Sequence, residues 1–182
     1  MKLVAMLAIL LSAQLAAADH TYLREADAAH AMFPTSTAAT RATLELSAAE
    51  VASLDKSLGR RVVGKIYPYL DVVAADKHLG VIFLLDVIGQ SEPITFAVAI
   101  SSTGVVQDVR VMVYREPHGA EIEDHRFHKQ FVGKSSNDPI TLGKDVDAIS
   151  GATISSRSEA FAVKKSLGLA DIMRHRSALS GN

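Results

Sequence analysis

Cysteine and tryptophan are both absent from this 182-residue chain. Without cysteine there can be no disulfide, thiolate-ligated iron–sulfur cluster, c-type haem attachment or cysteine nucleophile. Any redox chemistry would therefore have to come from a bound organic group. An excess of one charge is missing too, with 19 basic residues against 20 acidic and a formal net charge of −1. That balance leaves no electrostatic footprint for nucleic acid or for an anionic membrane surface, and no nucleic-acid partner is expected. The chain also has no long run of like charge and no internal repeat. No group of residues reads as a dedicated acid–base or nucleophile constellation.

What is present begins with an export pattern. Lys2 supplies a minimal basic start, and Leu3 to Leu15 is apolar apart from Ser12 and Gln14. Ala16-Ala17-Ala18 then gives small residues before Asp19, which reads as a signal peptide over 1–18 with cleavage after Ala18. An uncleaved anchor is the competing reading, although the apolar run is shorter than the about 20 residues that span a bilayer. The expected location is the periplasm or the outer face of the cytoplasmic membrane.

Beyond the leader, residues 19–59 read as a helical segment. Leu23, Ala26, Ala29 or His30, and Phe33 have helical spacing and end at Pro34. Thr35 to Thr43 reads as a connector. Ser47-Ala48-Ala49-Glu50 is a capping box that opens a helix to about Leu58, stopped by Gly59. From Arg61 the texture turns to β, with runs at 62–69, 71–75, 81–88, 94–100 and 105–114. Turns are expected at 77–80, 89–93 and 101–104. Such short connections require antiparallel neighbours, so residues 60–182 are expected to form a β-meander packed with helices. The class is α+β, one globular unit with the preceding helices. A short helix is expected over 124–131 with Phe127 and Phe131 inward, then a loop over 135–146. A last helix is expected from about Ser156, where Ser156-Arg157-Ser158-Glu159 spells another capping box, to Leu167 before Gly168.

Just ahead of that helix lies Asp147-Ala148-Ile149-Ser150-Gly151-Ala152-Thr153. Gly151 and Ala152 leave room for a bulky group, and the free N–H groups of the helix suit a phosphate. This stretch resembles the flavinylation motif of the FMN-binding domain family, which includes flavin subunits of Rnf and Na+-pumping NADH:quinone oxidoreductase complexes. The periplasmic domain of nitrous-oxide-reductase regulatory proteins belongs to it as well. The upstream block Val111-Met112-Val113-Tyr114-Arg115-Glu116, then Gly119, Glu121, Phe127, Gln130-Phe131 and Gly133-Lys134, carries the same resemblance over about residues 60 to 167.

The resemblance implies an FMN-binding-domain-like fold and an exported electron carrier. FMN would be joined covalently through its phosphate to Thr153 by a flavin transferase. The electron partners implied are a membrane redox protein and an extracytoplasmic acceptor. Ser150, Ser155 and Ser156 would add hydroxyl donors, and Asp147 would serve the transferase or simply cap the loop. By the family's Tyr-x-Glu-x-x-Gly pattern, Glu116 and Gly119 would shape the flavin pocket beside Tyr114, with Gln130 and Lys134 as further candidates. Two rivals remain: a flavin-dependent reductase subunit, and a metal-binding module built on His118, His125 and His128 with Glu121 and Asp124.

Overall fold

A computed structural model describes residues 19–180, so the signal-peptide reading lies outside the described residues. The elements follow as β1 (His20–Thr21), α1 (Glu25–Met32), β2 (Ala38–Glu45), α2 (Ala48–Leu58), β3 (Ile66–Ala74) and β4 (Lys77–Ile88). After them come β5 (Pro93–Ser101), β6 (Val106–Tyr114), a 3-10 turn (Ala120–Glu123), α3 (His125–Lys129) and α4 (Thr153–Ser180). The strands form one antiparallel sheet in the order β1-β6-β5-β4-β3-β2, so the expected α+β meander is present.

The sheet is buried on both faces. On one, Phe83, Phe96, Val98 and Val109 pack against Leu54 of α2 and Val163 and Leu167 of α4. On the other, Ala28, Ala29 and Met32 of α1 cover Leu70, Ile82, Ala97, Ala99 and Met112. The small Ala97 and Ala99 let α1 approach closely, while Phe96, Val98 and Ile100 between them fill the α4 side. Val109 and Val111 face α4, and strict alternation would put Val113 there too, but it lies on the other face. Thr95 pairs with Val113 but Phe96 pairs with Val111, so Met112 is an extra residue that bulges the strand. The bulge turns Val113 toward the α1 side.

Several expected boundaries move, each for a physical reason. The connector expected at 35–43 contains most of β2, an edge strand whose side chains are mostly exposed and so show no apolar alternation. The N-terminal segment is thus mixed rather than helical. The capping box of α2 forms as expected, with Glu50 N–H donating to Ser47 Oγ at 3.3 Å and Ser47 N–H to Glu50 Oε2 at 2.8 Å. Residues 62–69 and 71–75 merge into β3, and Lys77–Gly80 belongs to β4; the turn falls at Ala75, which carries a positive φ of 49°.

The last helix begins at Thr153 and runs 28 residues without stopping at Gly168. A Cβ on Gly168 would stand 2.6 Å from Leu54 Cδ1, so this glycine is the point where α4 crosses α2 closely. Further along, Arg176 pairs with Glu50 at 2.6 Å and donates to the Glu45 carbonyl at 2.8 Å. Arg176, and after it Ser47, hold the Glu50 carboxyl down at about 2.

Candidate functional site

The loop before α4 is built from its own polar atoms. Gly151 has φ of +87°, a left-handed value that side chains resist, and no atom lies within 4 Å of a Cβ placed there. The need for glycine at this point is therefore one of backbone angle alone. Next, Ala152 N–H donates to the Ile149 carbonyl at 3.1 Å and Ser156 N–H to the Ala152 carbonyl at 2.9 Å. The Ser156 hydroxyl completes the turn, donating to Ala152 O at 2.9 Å and accepting from Ile149 N–H at 3.2 Å. Ser156 is fully buried and works inside the loop, which corrects its expected place as a donor to a phosphate. Glu159 does not close a capping box either; it lies in the core against His128.

Thr153 is exposed and is the first residue of α4. With it, Ile154 and Ser155 begin the helix and have no carbonyl a turn back to receive their N–H groups, so this end attracts an anion. These residues border a concavity of about 230 Å³ lined by Gln90, Glu116, His118, Gly119, Gly151, Ala152, Thr153, Ile154 and Ser155. Of the residues the sequence singled out, Glu116, Gly119, Gly151, Ala152, Thr153 and Ser155 meet here. Asp147 and Ser150 are exposed on the loop but do not line it.

Tyr114 lies beneath the floor. Its hydroxyl donates to the His118 carbonyl at 2.5 Å and lies 3.1 Å from Ser155 Oγ, joining the 116–119 segment to the first turn of α4. Burial, with the charges of Glu116 and Glu121, raises its phenol, opposed by the Ser155 hydrogen bond. Gly119 fits only because it has no side chain: its φ is +89° and a Cβ would meet Tyr114 Oη at 2.8 Å. Glu116 lines the concavity while its carboxylate holds the β4–β5 turn. It accepts from Ser91 N–H and Ser91 Oγ, both at 2.8 Å, and from Glu92 N–H at 3.1 Å. Burial pushes its carboxyl up, but these donors prevail and hold it below the usual range.

Gln130 is a brace. Asp147 N–H donates to its Oε1 at 2.8 Å, and its Nε2 donates to the Asp147 carbonyl at 3.2 Å. Lys134 pairs with Asp145 at 2.8 Å in the 135–146 loop, away from the concavity. Phe127 and Phe131 pack edge to face, ring centres 5.3 Å apart, within the core. Sequence reasoning missed Gln90 and Ile154, and placed His118 in the 116–119 loop expected near the flavin while assigning it a role only as a metal candidate. The signal for His118 was its place inside Tyr-x-Glu-x-x-Gly.

The histidine cluster disperses. His118 borders the concavity, His125 opens α3 on the surface, His128 is buried against Glu159, and Asp124 caps α3 through Arg126 N–H at 2.9 Å. Among the described residues no group of three or more His, Asp or Glu is arranged to hold a metal ion.

The sequence model of the FMN-binding domain matches residues 89–168, from the β4–β5 turn through the floor of the concavity and the first half of α4. Residues 89–168 belong to the FMN-binding domain family. No curated protein matches the chain. The matched segment of this FMN-binding domain holds every residue that lines the concavity.

The residues present suit FMN. A helix start with free N–H groups accepts a phosphate, and Gly151 and Ala152 leave space above it. At about 230 Å³ the concavity is smaller than the ~300–1,000 Å³ pockets that enclose drug-sized ligands. It therefore has room for part of FMN only.

Proposed function

We propose that Thr153 carries FMN through a phosphoester and that the protein is an exported electron-transfer flavoprotein. The flavin would relay electrons between a membrane redox protein and an extracytoplasmic acceptor. The observation that carries this reading is the position of Thr153: exposed, first in a long helix, and on the rim of the concavity inside the FMN-binding segment. A flavin transferase would supply an activated FMN donor, and its leaving group departs as the Thr153 Oγ–P bond forms and Oγ–H loses its proton.

Once attached, FMN supplies the electron chemistry. The protein's part is to hold and orient. The N–H groups that open α4 bind the phosphate, and the helix dipole offsets its charge, while the Ser155 hydroxyl is given to Tyr114 Oη and holds the first turn in place. Gly119 keeps the approach clear, and Tyr114 fixes it relative to α4. Glu116 spends its charge on the β4–β5 turn and so keeps Gln90 in place on the rim. A covalent link suits an exported protein, which cannot draw on a pool of free FMN to replace one lost by dissociation.

A reductase acting on a soluble substrate would use the same flavin. Intact mass under denaturing conditions tests the attachment, using protein exported from cells that contain the transferase. An added FMN mass that vanishes in Thr153→Ala is the expected result. An unmodified mass, with the transferase active on a control substrate, overturns it. The same spectrum reports whether residues 1–18 have been removed.

A further inference from the structure

The helix that Thr153 opens also carries a carboxylate into the core. Glu159 is fully buried; its Oε1 lies 2.7 Å from His128 Nδ1, and its Oε2 has no hydrogen-bond partner among the described residues. His128 is buried with it. A bare carboxylate is strongly disfavoured in such a place. Burial accordingly pushes the Glu159 carboxyl up, against the opposing pull of His128.

At 2.7 Å the two atoms must have a proton between them. With one proton between them the pair is neutral, whether written as imidazolium and carboxylate or as imidazole and carboxylic acid. Removing that proton leaves a buried negative charge, and adding a second leaves a buried positive one.

The surroundings do not substitute for that proton. Asp108 and Arg110 on β6 face the pair and hold each other at 2.8 Å, and the Asp108 charge opposes ionisation of Glu159. Tyr22, Arg110 and Glu123 line a cavity of about 130 Å³ against His128. Asp124, which caps α3, is engaged by Arg126 at 2.7 Å.

The pair also has a mechanical position. It fastens α3 to α4, while Gln130, the C-cap of α3, fastens α3 to the Asp147 peptide at the start of the loop. We propose that His128 and Glu159 form a one-proton latch that holds the Asp147–Thr153 loop in place, and so sets how readily Thr153 is modified. The second half of this statement rests on Thr153 being the attachment site; the first half does not.

Amide hydrogen exchange of the full chain, compared at equal pH with Glu159→Gln, tests both. Glutamine keeps the size and a carbonyl acceptor for Nδ1–H but has no proton to lose. Residues 125–130 and 147–152 of the unsubstituted protein should exchange faster than in the variant as pH rises. The ratio should grow by up to about tenfold per pH unit between the pH at which the pair loses its proton in the opened protein and the higher pH at which it does so in the closed one, and then level off. Transferase-driven mass gain should slow over the same pH range in the unsubstituted protein only.

A ratio that stays constant with pH, or one that grows in α3 without reaching 147–152, overturns the latch. A growing ratio in a protein that gains no FMN mass at any pH supports the latch while sinking the attachment reading. His128→Asn gives a second check. It keeps an amide donor near Oε1 but cannot take up a proton, so the pH at which the loop loosens must move; an unmoved value overturns the shared proton.

Discussion

Gln130 grips the peptide of Asp147 with both ends of its side-chain amide, as a neighbouring strand would, accepting at 2.8 Å and donating at 3.2 Å. A side chain thus supplies the pairing that the irregular segment before α4 lacks.

Replacing Gln130 by Ala should remove both bonds, at about 0.5–1.5 kcal/mol each. Urea unfolding should report the total, and exchange protection at 147–149 should fall with it. Gln130→Glu keeps the acceptor and loses the donor, so it should lie between the two. An alanine variant with unchanged protection would show that the loop is held by other contacts.

Glu116 predicts a specific acid response. Its carboxyl is held below the usual range, so as pH falls the unfolded chain takes up a proton before the folded chain does. Its contribution is complete above the unfolded value of about 4.3 and is lost as pH falls through the folded value. Glu116→Gln should therefore be less stable than the unsubstituted protein at pH 7, by about 1.5–3 kcal/mol for charged hydrogen bonds. The difference should shrink toward acid. Urea midpoints across that range decide it, and a difference independent of pH would remove the charge from the account.

Tyr114→Phe should keep the packing and lose the hydroxyl that joins His118 to Ser155. The expected loss is about 1–3 kcal/mol, because partners are left unsatisfied in a buried place. Gly119→Ala should be at least as damaging, since it adds left-handed strain to a 2.8 Å approach on the same hydroxyl. In the double variant the approach disappears with the hydroxyl, so the combined cost should fall short of the sum of the two. Chemical denaturation of the four proteins measures this directly.

Gly168 should discriminate by size. Alanine gains up to about 1 kcal/mol of helix propensity, and Leu54 Cδ1, the atom it meets, can rotate away. Leucine cannot be accommodated that way and should cost about 1–3 kcal/mol by overpacking the α2–α4 crossing. Melting temperatures of the two variants separate a packing glycine from one that merely interrupts a helix.

The central strands were legible because β-branched and aromatic residues mark them and the turns on either side of β5 carry Gly or Ser, whereas the β3–β4 turn, Ala75-Asp76, carries no such mark. Edge strand β2 was not legible, since Thr40, Arg41 and Thr43 face water or other elements rather than a continuous core. The start of α4 was misread for a different reason. Ser156 and Glu159 have the spacing of a capping box, but the fold uses both indoors, one to close the preceding turn and one to meet His128. A local pattern gave way to a partner distant in sequence. In the site, the motif residues were visible as a string, and so was the Tyr-x-Glu-x-x-Gly block. That Glu116 faces the β4–β5 turn, and that Gln90 completes the rim, depend on strand register that no short motif encodes.

The stretch recognisable as a relative of other flavin domains begins at residue 89, after β4 has ended. Excised at that point, it would lose the strand that lies against β5 and expose Phe96 and Val98 together with the inner side of α4. The far half of α4 would likewise lose Leu54 and Glu50, on which Gly168 and Arg176 close. The portable unit of inheritance is thus smaller than the unit that stands alone in water. Grafting the flavin site onto another scaffold would require taking along β2 to β4 and α2, none of which lines the concavity.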